Sequence, residues 1–522
     1  MKDIADPTEN VAELKNRITE LEALVKYYEE QFRLAKHRQF GASSEKSEYD
    51  QLNLFNEAET TADANVPEPE LAEIKRHFRK SRRLVNESLP EDLPVEVVEH
   101  DLRADERECP QCGGELHVMG CEKRRELVII PAQVKIREYV RKVYACRDCE
   151  KDEYGVPIVK APVDEPVIKG SFASPEAVAH IMVQKFVMGI PLYRQEQEWN
   201  RQGIKLSRQT MSNWLLKATE DWLEPIYDAF HEILCTYDVL HADETTLQVL
   251  HEPGKAPQSK SYMWMYRTSG FSNYGTSVRW PIVLYDYQPD RRAKRPAAFL
   301  KDFKGYLHTD GYDGYHSLPD DVIIVGCLAH ARRKFDEALK SIPEEDRENS
   351  NVFRGKQYCD KLFGLEHDFE GLNPAEKFTK RQELAKPVLD EFFVWLDKLD
   401  DLPKTPLGKA KHYMFSQRKY LERYLLDGRL EISNNRAERS IKPFVIDRKN
   451  FLFANTPRGA KASAIMFSVI ETAKECGLNP FEYLTYIFKN APNWDIRNNL
   501  NYLQCLMPSD IPDSCKAHAV TD

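Results

Sequence analysis

Two Cys-x-x-Cys pairs, Cys109/Cys112 and Cys146/Cys149, stand 33 residues apart and constrain the local path of the chain more tightly than any other feature. Each pair offers two thiolates from one turn, and four thiolates suit one tetrahedral Zn²⁺. Gly113 lets the backbone fold around a metal after the second cysteine. Between the pairs, residues 126–130, 134–136 and 139–144 alternate as strands do, which places the turns on hairpins in a zinc-ribbon arrangement. A redox role needs only one pair; His117 and Cys121 are substitute ligands without matching spacing. Eleven cysteines, an odd count with the rest scattered, fit metal ligation plus ordinary thiols in a reducing compartment rather than a disulfide framework. Lys123, Arg124, Arg125, Lys135, Arg137, Arg141, Lys142 and Arg147 decorate the segment and favour DNA contact.

The chain is long enough for several domains: 522 residues against about 100–200 per domain. Hydrophobic residues at 42%, charged residues at 30% and a mean hydropathy of −0.59 fit a soluble globular protein. No apolar run approaches the roughly 18 residues needed to span a bilayer, and the N-terminus lacks the apolar core of a signal peptide. Membrane, secreted, collagenous and wholly disordered classes are thereby excluded, and a cytoplasmic location is expected. The net charge of −10 argues against a nucleic-acid coat protein but not against an enzyme with local basic patches.

Val11, Leu14, Ile18, Leu21, Val25, Tyr28, Phe32 and Ala35 alternate in steps of three and four, the spacing of a heptad seam. The stretch reads as a dimerising coiled coil, the alternative being an amphipathic helix packed on its own protein. Residues 57–70 read as an acidic linker. Then come Lys75, Arg76, Arg79, Lys80, Arg82 and Arg83, a candidate phosphate-contacting arm or a solvated basic loop. Ser174-Pro175 starts a helix expected to run to about Val187, Pro191 opens another through Asn200, and Ser207 caps a third from Arg208 to about Ala218. Helix, Gly203-containing turn, capped helix is helix-turn-helix spacing. Arg208, Gln209, Ser212 and Asn213 lie where base-reading side chains sit; a plain helical hairpin is the bland alternative.

A strand runs into Asp243, and strand-like stretches follow at 261–268 and 280–287. A helix at 297–303 leads to a short strand ending at Asp310, and 322–325 forms another strand. This is the order of a ribonuclease-H-like sheet, with the first acid mid-sheet and the second beside it. Ser433 can cap a helix starting at Asn434, placing Asn434, Glu438 and Lys442 on one face, with Glu438 as third acid and Glu431 as its rival. Asp243, Asp310 and Glu438 could converge to hold two Mg²⁺ or Mn²⁺ ions, since hard cations take oxygen ligands. Two such ions suit phosphoryl transfer.

Several long motifs then resemble transposases of the insertion-sequence-66 family, in order along nearly the whole chain. They are Phe40-Gly41-Ala42-Ser43-Ser44-Glu45, Pro191-Leu192-Tyr193-Arg194-Gln195, His241-Ala242-Asp243-Glu244-Thr245 and Asp310-Gly311-Tyr312-Asp313-Gly314-Tyr315. Further on stand Cys327-Leu328-Ala329-His330-Ala331-Arg332-Arg333-Lys334-Phe335, Asn434-Asn435-Arg436-Ala437-Glu438-Arg439, Arg448-Lys449-Asn450-Phe451-Leu452-Phe453 and Ile470-Glu471-Thr472-Ala473-Lys474. Leu328 stands where the family usually has Trp, and the C-terminus lacks the usual Leu-Pro-Trp-Asn ending.

The resemblance implies a leucine-zipper-like coiled coil at 1–50, linker and basic arm at 51–100, zinc ribbon at 101–160 and helix-turn-helix at 170–235. It further implies a DDE catalytic core at 236–470 with a helical insertion near 331–428, and a helical tail at 471–522. Asp243, Asp310 and Glu438 are the implied catalytic triad of a multidomain α/β enzyme that cleaves DNA at element ends and joins the 3′-hydroxyls to target DNA. Implied partners are DNA, a homodimer or larger synaptic oligomer, and small accessory proteins of the same element, acting on the bacterial nucleoid. Alternatives are a ribonuclease-H-like nuclease without strand transfer and a non-catalytic DNA-binding regulator.

Overall fold

The computed structural model describes Val25, Tyr28, Glu29 and residues 134–140, 142–145, 158–270, 280–400 and 404–517. Val25, Tyr28 and Glu29 are helical and exposed; the rest of the heptad seam, the basic arm and Cys109, Cys112, Cys146 and Cys149 lie outside the described residues.

The chain divides into two compact units. In the smaller, β1 (Val143–Ala145) pairs antiparallel with β2 (Ile158–Lys160), Tyr144 opposite Val159. The expected strand at 134–136 is absent, and the one at 139–144 shrinks to β1. Val134, Ile136, Tyr139 and Val140 are exposed, so apolar alternation there has no packed face to serve.

The larger unit includes Val163–Ala517. Helices α1 (Pro175–Phe186), α2 (Leu192–Arg201), α3 (Arg208–Ala218) and α4 (Glu224–Leu234) come first. They begin where the caps predict: Ser174 Oγ accepts from the Ala177 amide and Ser207 Oγ from the Thr210 amide, both at 3.1 Å. The sheet follows: β3 (Val239–Gln248), β4 (Lys260–Thr268), β5 (Val283–Gln288), the short helix α5 (Lys294–Phe299), β6 (Gly305–His308) and β7 (Val322–Val325). Helix α5 begins and ends earlier than the expected 297–303; Leu300 leaves the helical conformation, and Phe303 is buried in the turn before β6.

The five strands lie in the order β5-β4-β3-β6-β7. β3, β4 and β5 form an antiparallel meander, and β6 and β7 add to β3 in parallel. Met263, Trp264, Met265 and Tyr266 are successive residues of β4 and all are buried, so both faces of the central sheet are covered.

Helices α6 (Leu328–Leu339), α7 (Asn351–Asp368), α8 (Pro374–Lys380), α9 (Lys386–Asp397) and α10 (Pro406–Leu421) form the helical insertion. Helices α11 (Asn435–Phe451), α12 (Pro457–Glu475), α13 (Pro480–Asn490) and α14 (Leu500–Gln504) complete the unit. α12 runs along the edge strand β5. Ser468 Oγ accepts from the Tyr285 amide at 2.7 Å, and one turn later Thr472 Oγ1 accepts from the Val283 amide at 3.0 Å and donates back to the Val283 carbonyl. Two hydroxyls four residues apart thus satisfy an edge that would otherwise invite another strand.

Two hydrophobic cores result. One joins α1, α3, α4, the sheet and α11–α13, and takes in Leu506, Met507, Ile511 and Cys515 near the C-terminus. Residues of 170–235, of most of the sheet and of 471–517 therefore share one core. The other core belongs to the insertion, from Val325 and Leu328 to Ile432, with Val239 joining it from the sheet. Leu328, at the position where the resembled family carries Trp, is buried there.

Candidate active site

β3 and β6 run side by side with His241 opposite His308. Side chains two residues apart on a strand share a face. Asp243 and Asp310 each follow one of these histidines by two, so the parallel register brings the aspartates to one end of the pair. Asp243 lies mid-strand as expected. Asp310 lies two residues past the end of β6 rather than ending it, and its Oδ1 accepts from the Tyr312 amide at 3.0 Å. The two imidazoles stack with centroids 4.4 Å apart, and both are buried.

The chain leading into α11 is fastened to this stack. Asn434 is buried; its Nδ2 donates to the Ala242 carbonyl at 2.8 Å, and its Oδ1 accepts from His241 Nδ1 at 3.0 Å. The Asn434 amide donates to Cys327 Sγ at 3.1 Å, and the Glu431 amide to His308 Nε2 at 3.3 Å. This network corrects the expected cap. The helix starts at Asn435, Asn434 precedes it with its side chain spent on β3, and the Ser433 hydroxyl reaches only the Asn435 amide at 3.5 Å. Asn434 therefore does not share an exposed face with Glu438. Burial pushes His241 down to about 4, against the opposing pull of Glu431, so both rings act as neutral packing and hydrogen-bonding groups; burial also holds His308 well below its ordinary value.

Glu438, in the first turn of α11, faces α6. Arg333 Nη2 lies 3.1 Å from its Oε2, and His330 Nε2 lies 3.7 Å from its Oε1. Burial holds the Asp243 carboxyl well above the usual range, and the negative charges of Glu244, Asp310 and Glu438 add to that effect. Asp243 thus feels the charge of the other two acids. Among the described residues, however, the group of three donors drawn within 4.8 Å of one another is Cys327, His330 and Glu438. Glu431, the rival acid, is held by Arg436 at 2.7 Å and faces His241 at 3.8 Å.

Glu244 was not expected here. It is buried next to Asp243, accepts from Tyr315 Oη at 2.7 Å and from Arg291 Nε at 2.7 Å, and Arg291 in turn packs over the Tyr312 ring at 3.7 Å. It thereby ties β3 to the loop that carries Asp310. The sequence held one signal for this machinery: His-x-Asp occurs at both 241–243 and 308–310, and a period of two puts each histidine beneath its aspartate.

In the helical segment, Arg208, Gln209 and Asn213 are exposed at the start of α3, while Ser212 is half-buried. The Arg208 amide donates to Glu196 at 3.0 Å, and Gln209 Nε2 donates to Asn213 Oδ1 at 3.1 Å.

The family description "Transposase IS66 family" matches residues 170–462, more than half of the chain. The chain belongs to the IS66 transposase family. Three further descriptions match in order: "Transposase C of IS166 homeodomain" at 27–98, "zinc-finger binding domain of transposase IS66" at 106–150 and "IS66 C-terminal element" at 468–508. The IS66 chain is 28% identical over 468 residues, 88% of each chain, to the uncharacterized protein y4jD of Sinorhizobium fredii. It is 30% identical over 426 residues to the uncharacterized protein y4qI of the same organism, covering 79% of this chain and 74% of that one. Family membership implies DNA binding and the use of a divalent metal, and the zinc-finger match over 106–150 implies zinc binding. No helix among the described residues is long and apolar enough to cross a membrane.

Proposed function

We propose that this IS66 transposase binds the ends of its element, cleaves the DNA and transfers the freed 3′-hydroxyls to target DNA, using Asp243, Asp310 and Glu438 on a ribonuclease-H-like core. The observation that carries this reading is the sheet. In an antiparallel three-strand meander extended by two parallel strands, Asp243 lies on β3 and Asp310 on the loop leaving the adjacent strand β6, with the charge of Glu438 reaching Asp243.

Two Mg²⁺ or Mn²⁺ ions fit the acids by chemistry. The donors are oxygens, as hard cations require, and the negative charge gathered around Asp243 is the imbalance a bound cation relieves. Bound ions would activate the attacking oxygen and stabilise the leaving one. The protein's part is to hold position. The His241/His308 stack seats both aspartates, Asn434 fixes the start of α11, and Glu244 with Arg291 and Tyr315 holds the loop of Asp310. Water and then the 3′-hydroxyl would attack phosphorus in line, without a covalent protein intermediate.

In the same reading Cys109, Cys112, Cys146 and Cys149 hold one structural Zn²⁺, which metal analysis finding one zinc per chain would check. Lys75, Arg76, Arg79, Lys80, Arg82, Arg83, Arg208, Gln209, Ser212 and Asn213 contact DNA, and residues 10–36 pair two chains so that two ends are joined in one complex. Lysine at both Ile18 and Leu21 should dissociate that pairing in sedimentation while sparing single-end binding; an unchanged oligomer would count against the seam.

The deciding experiment compares Asp243→Asn, Asp310→Asn, Glu438→Gln and Glu431→Gln. The first three should lower cleavage and strand transfer by on the order of 10³-fold or more, as losses of groups that act as a unit do, with end binding nearly intact. An active Asp310→Asn protein sinks the assignment, and loss only in Glu431→Gln moves the third acid. Cleavage without joining in the unmodified protein would favour a nuclease.

A further inference from the structure

Glu438 adds its charge to that of Asp310 at Asp243, all oxygen donors, and lies against two donors of different chemistry: Cys327, immediately before α6, and His330, in its first turn. One donor atom from each of Cys327, His330 and Glu438 lies within 4.8 Å of the other two. The gap from His330 Nε2 to Glu438 Oε1 is 3.7 Å. That is too long for a hydrogen bond. It is close to the spacing of two ligands on one tetrahedral ion, about 3.3–3.6 Å for bonds of about 2.0–2.3 Å.

We propose that Cys327, His330 and Glu438 form a second, softer metal site that takes Zn²⁺ and, when filled, withdraws Glu438 from the two aspartates. The consequence for activity rests on the proposed role of Glu438; metal binding itself does not.

The donor chemistry selects the ion. A thiolate, an imidazole and one carboxylate oxygen suit zinc, whereas Mg²⁺ has no use for sulfur. Three protein donors leave a fourth position open. The backbone already holds the donors together: the Asn434 amide bonds Cys327 Sγ at 3.1 Å, and the Leu328 amide bonds the Ile432 carbonyl at 3.1 Å, so the chain entering α11 is fastened to the start of α6. Arg333 sits on Oε2, the oxygen not facing His330, and can stay there as an outer partner that orients the carboxylate. Binding converts the Cys327 thiol to thiolate, and its proton leaves to solvent. Zinc at this site would compete with the Mg²⁺-loaded state for one shared carboxylate, which predicts inhibition of strand transfer by added Zn²⁺ in Mg²⁺ buffer.

The test uses the full chain with its cysteine pairs already loaded with zinc, titrated with Co²⁺ and followed by thiolate-to-cobalt charge-transfer absorption. The expected result is a band saturating at about one equivalent. It should be lost in Cys327→Ser, weakened in His330→Gln and kept in Cys505→Ser, whose cysteine is exposed. Cobalt exchanging into the zinc ribbon would survive in Cys327→Ser and read as background. No band in the unmodified protein, or the same band in Cys327→Ser, overturns the proposal. If Cys327→Ser does not fold, His330→Gln carries the test, and unchanged cobalt affinity in that variant overturns the site. A band lost in Cys327→Ser together with full activity of Glu438→Gln keeps the metal site and overturns the catalytic reading instead.

Discussion

Asp243, on β3, and Asp310, just past the end of the parallel strand β6, each follow a buried histidine by two residues, whereas Glu438 arrives on a helix after a helical insertion with its own core. The first pair is placed by strand register. The register sets His241 opposite His308, and the Thr309 amide bonded to the Val325 carbonyl at 3.0 Å holds the step from β6 to Asp310. The third acid has no register to rely on. Its position depends on how the insertion hands the chain back to the sheet. The difference teaches that the proposed site draws on two devices, strand register for the aspartates and the insertion's return for Glu438, and the second is where Glu438 meets Cys327 and His330.

Breaking the insertion's return should have the largest effect on stability. Arg381 is fully buried in the insertion. It forms a two-pronged pair with Glu366, both contacts at 2.7 Å, and donates to the carbonyls of Tyr424, Asp427 and Leu430. Those carbonyls belong to the segment that leads to Asn434 and Glu438. Arg381→Met leaves them and Glu366 short of donors, and removing one partner of a buried pair typically costs about 3–5 kcal/mol. The lower end is expected, because Lys377 remains 3.1 Å from Glu366. Denaturant unfolding gives the cost, and limited proteolysis should nick the insertion first. Undiminished cleavage by a variant whose insertion is nicked would show that the insertion does not place Glu438.

Asn434 is where the two regions meet, so Asn434→Ala should affect both. It deletes one bond to the Ala242 carbonyl and one from His241, leaving a buried imidazole N–H without its acceptor. A loss of about 1–3 kcal/mol follows for stranding a buried polar group. Activity should fall further than stability, since the start of α11 is no longer fastened to β3. A proportional fall in both would make Asn434 a packing residue only.

The sheet was largely legible in the sequence. β7 matches its expected bounds, β4 lies within a residue, and the helices after Ser174 and Ser207 begin at their caps. These signals are local: alternation, capping hydroxyls, a glycine turn. The aspartates and Glu438 were legible through motif order and family resemblance. The network that seats them was not, because it is made of contacts distant along the chain. Asn434 looked like a helix-face residue until its side chain was seen to serve a strand 192 residues earlier. Glu244 was hidden by its neighbour: an acid beside an acid reads as surface, yet Arg291 and Tyr315 make it an interior group. The strand expected at 134–136 failed for the converse reason, since its apolar residues alternate without anything to cover them.

The smallest predicted effect asks whether the insertion also steers the rigid side. Tyr413, on α10, donates its hydroxyl to the Asp310 carbonyl at 3.3 Å. Gln417, one turn further, occupies the space a side chain at Gly311 would need, and the Gly311 φ of +95° is easy only for glycine. The loop after β6 therefore touches the insertion as well as the sheet. Tyr413→Phe removes one long hydrogen bond and little volume, so stability should drop by about 0.5–1 kcal/mol. If register alone places Asp310, cleavage should fall in proportion to stability and its metal dependence should not move. If the insertion steers Asp310, more Mg²⁺ will be needed for half-maximal cleavage, because one ligand is less well held. A Mg²⁺ titration of cleavage by the two proteins separates these outcomes. A shift of about twofold or more, which represents roughly 0.4 kcal/mol, would end the simple division between a sheet that places two acids and an insertion that places one.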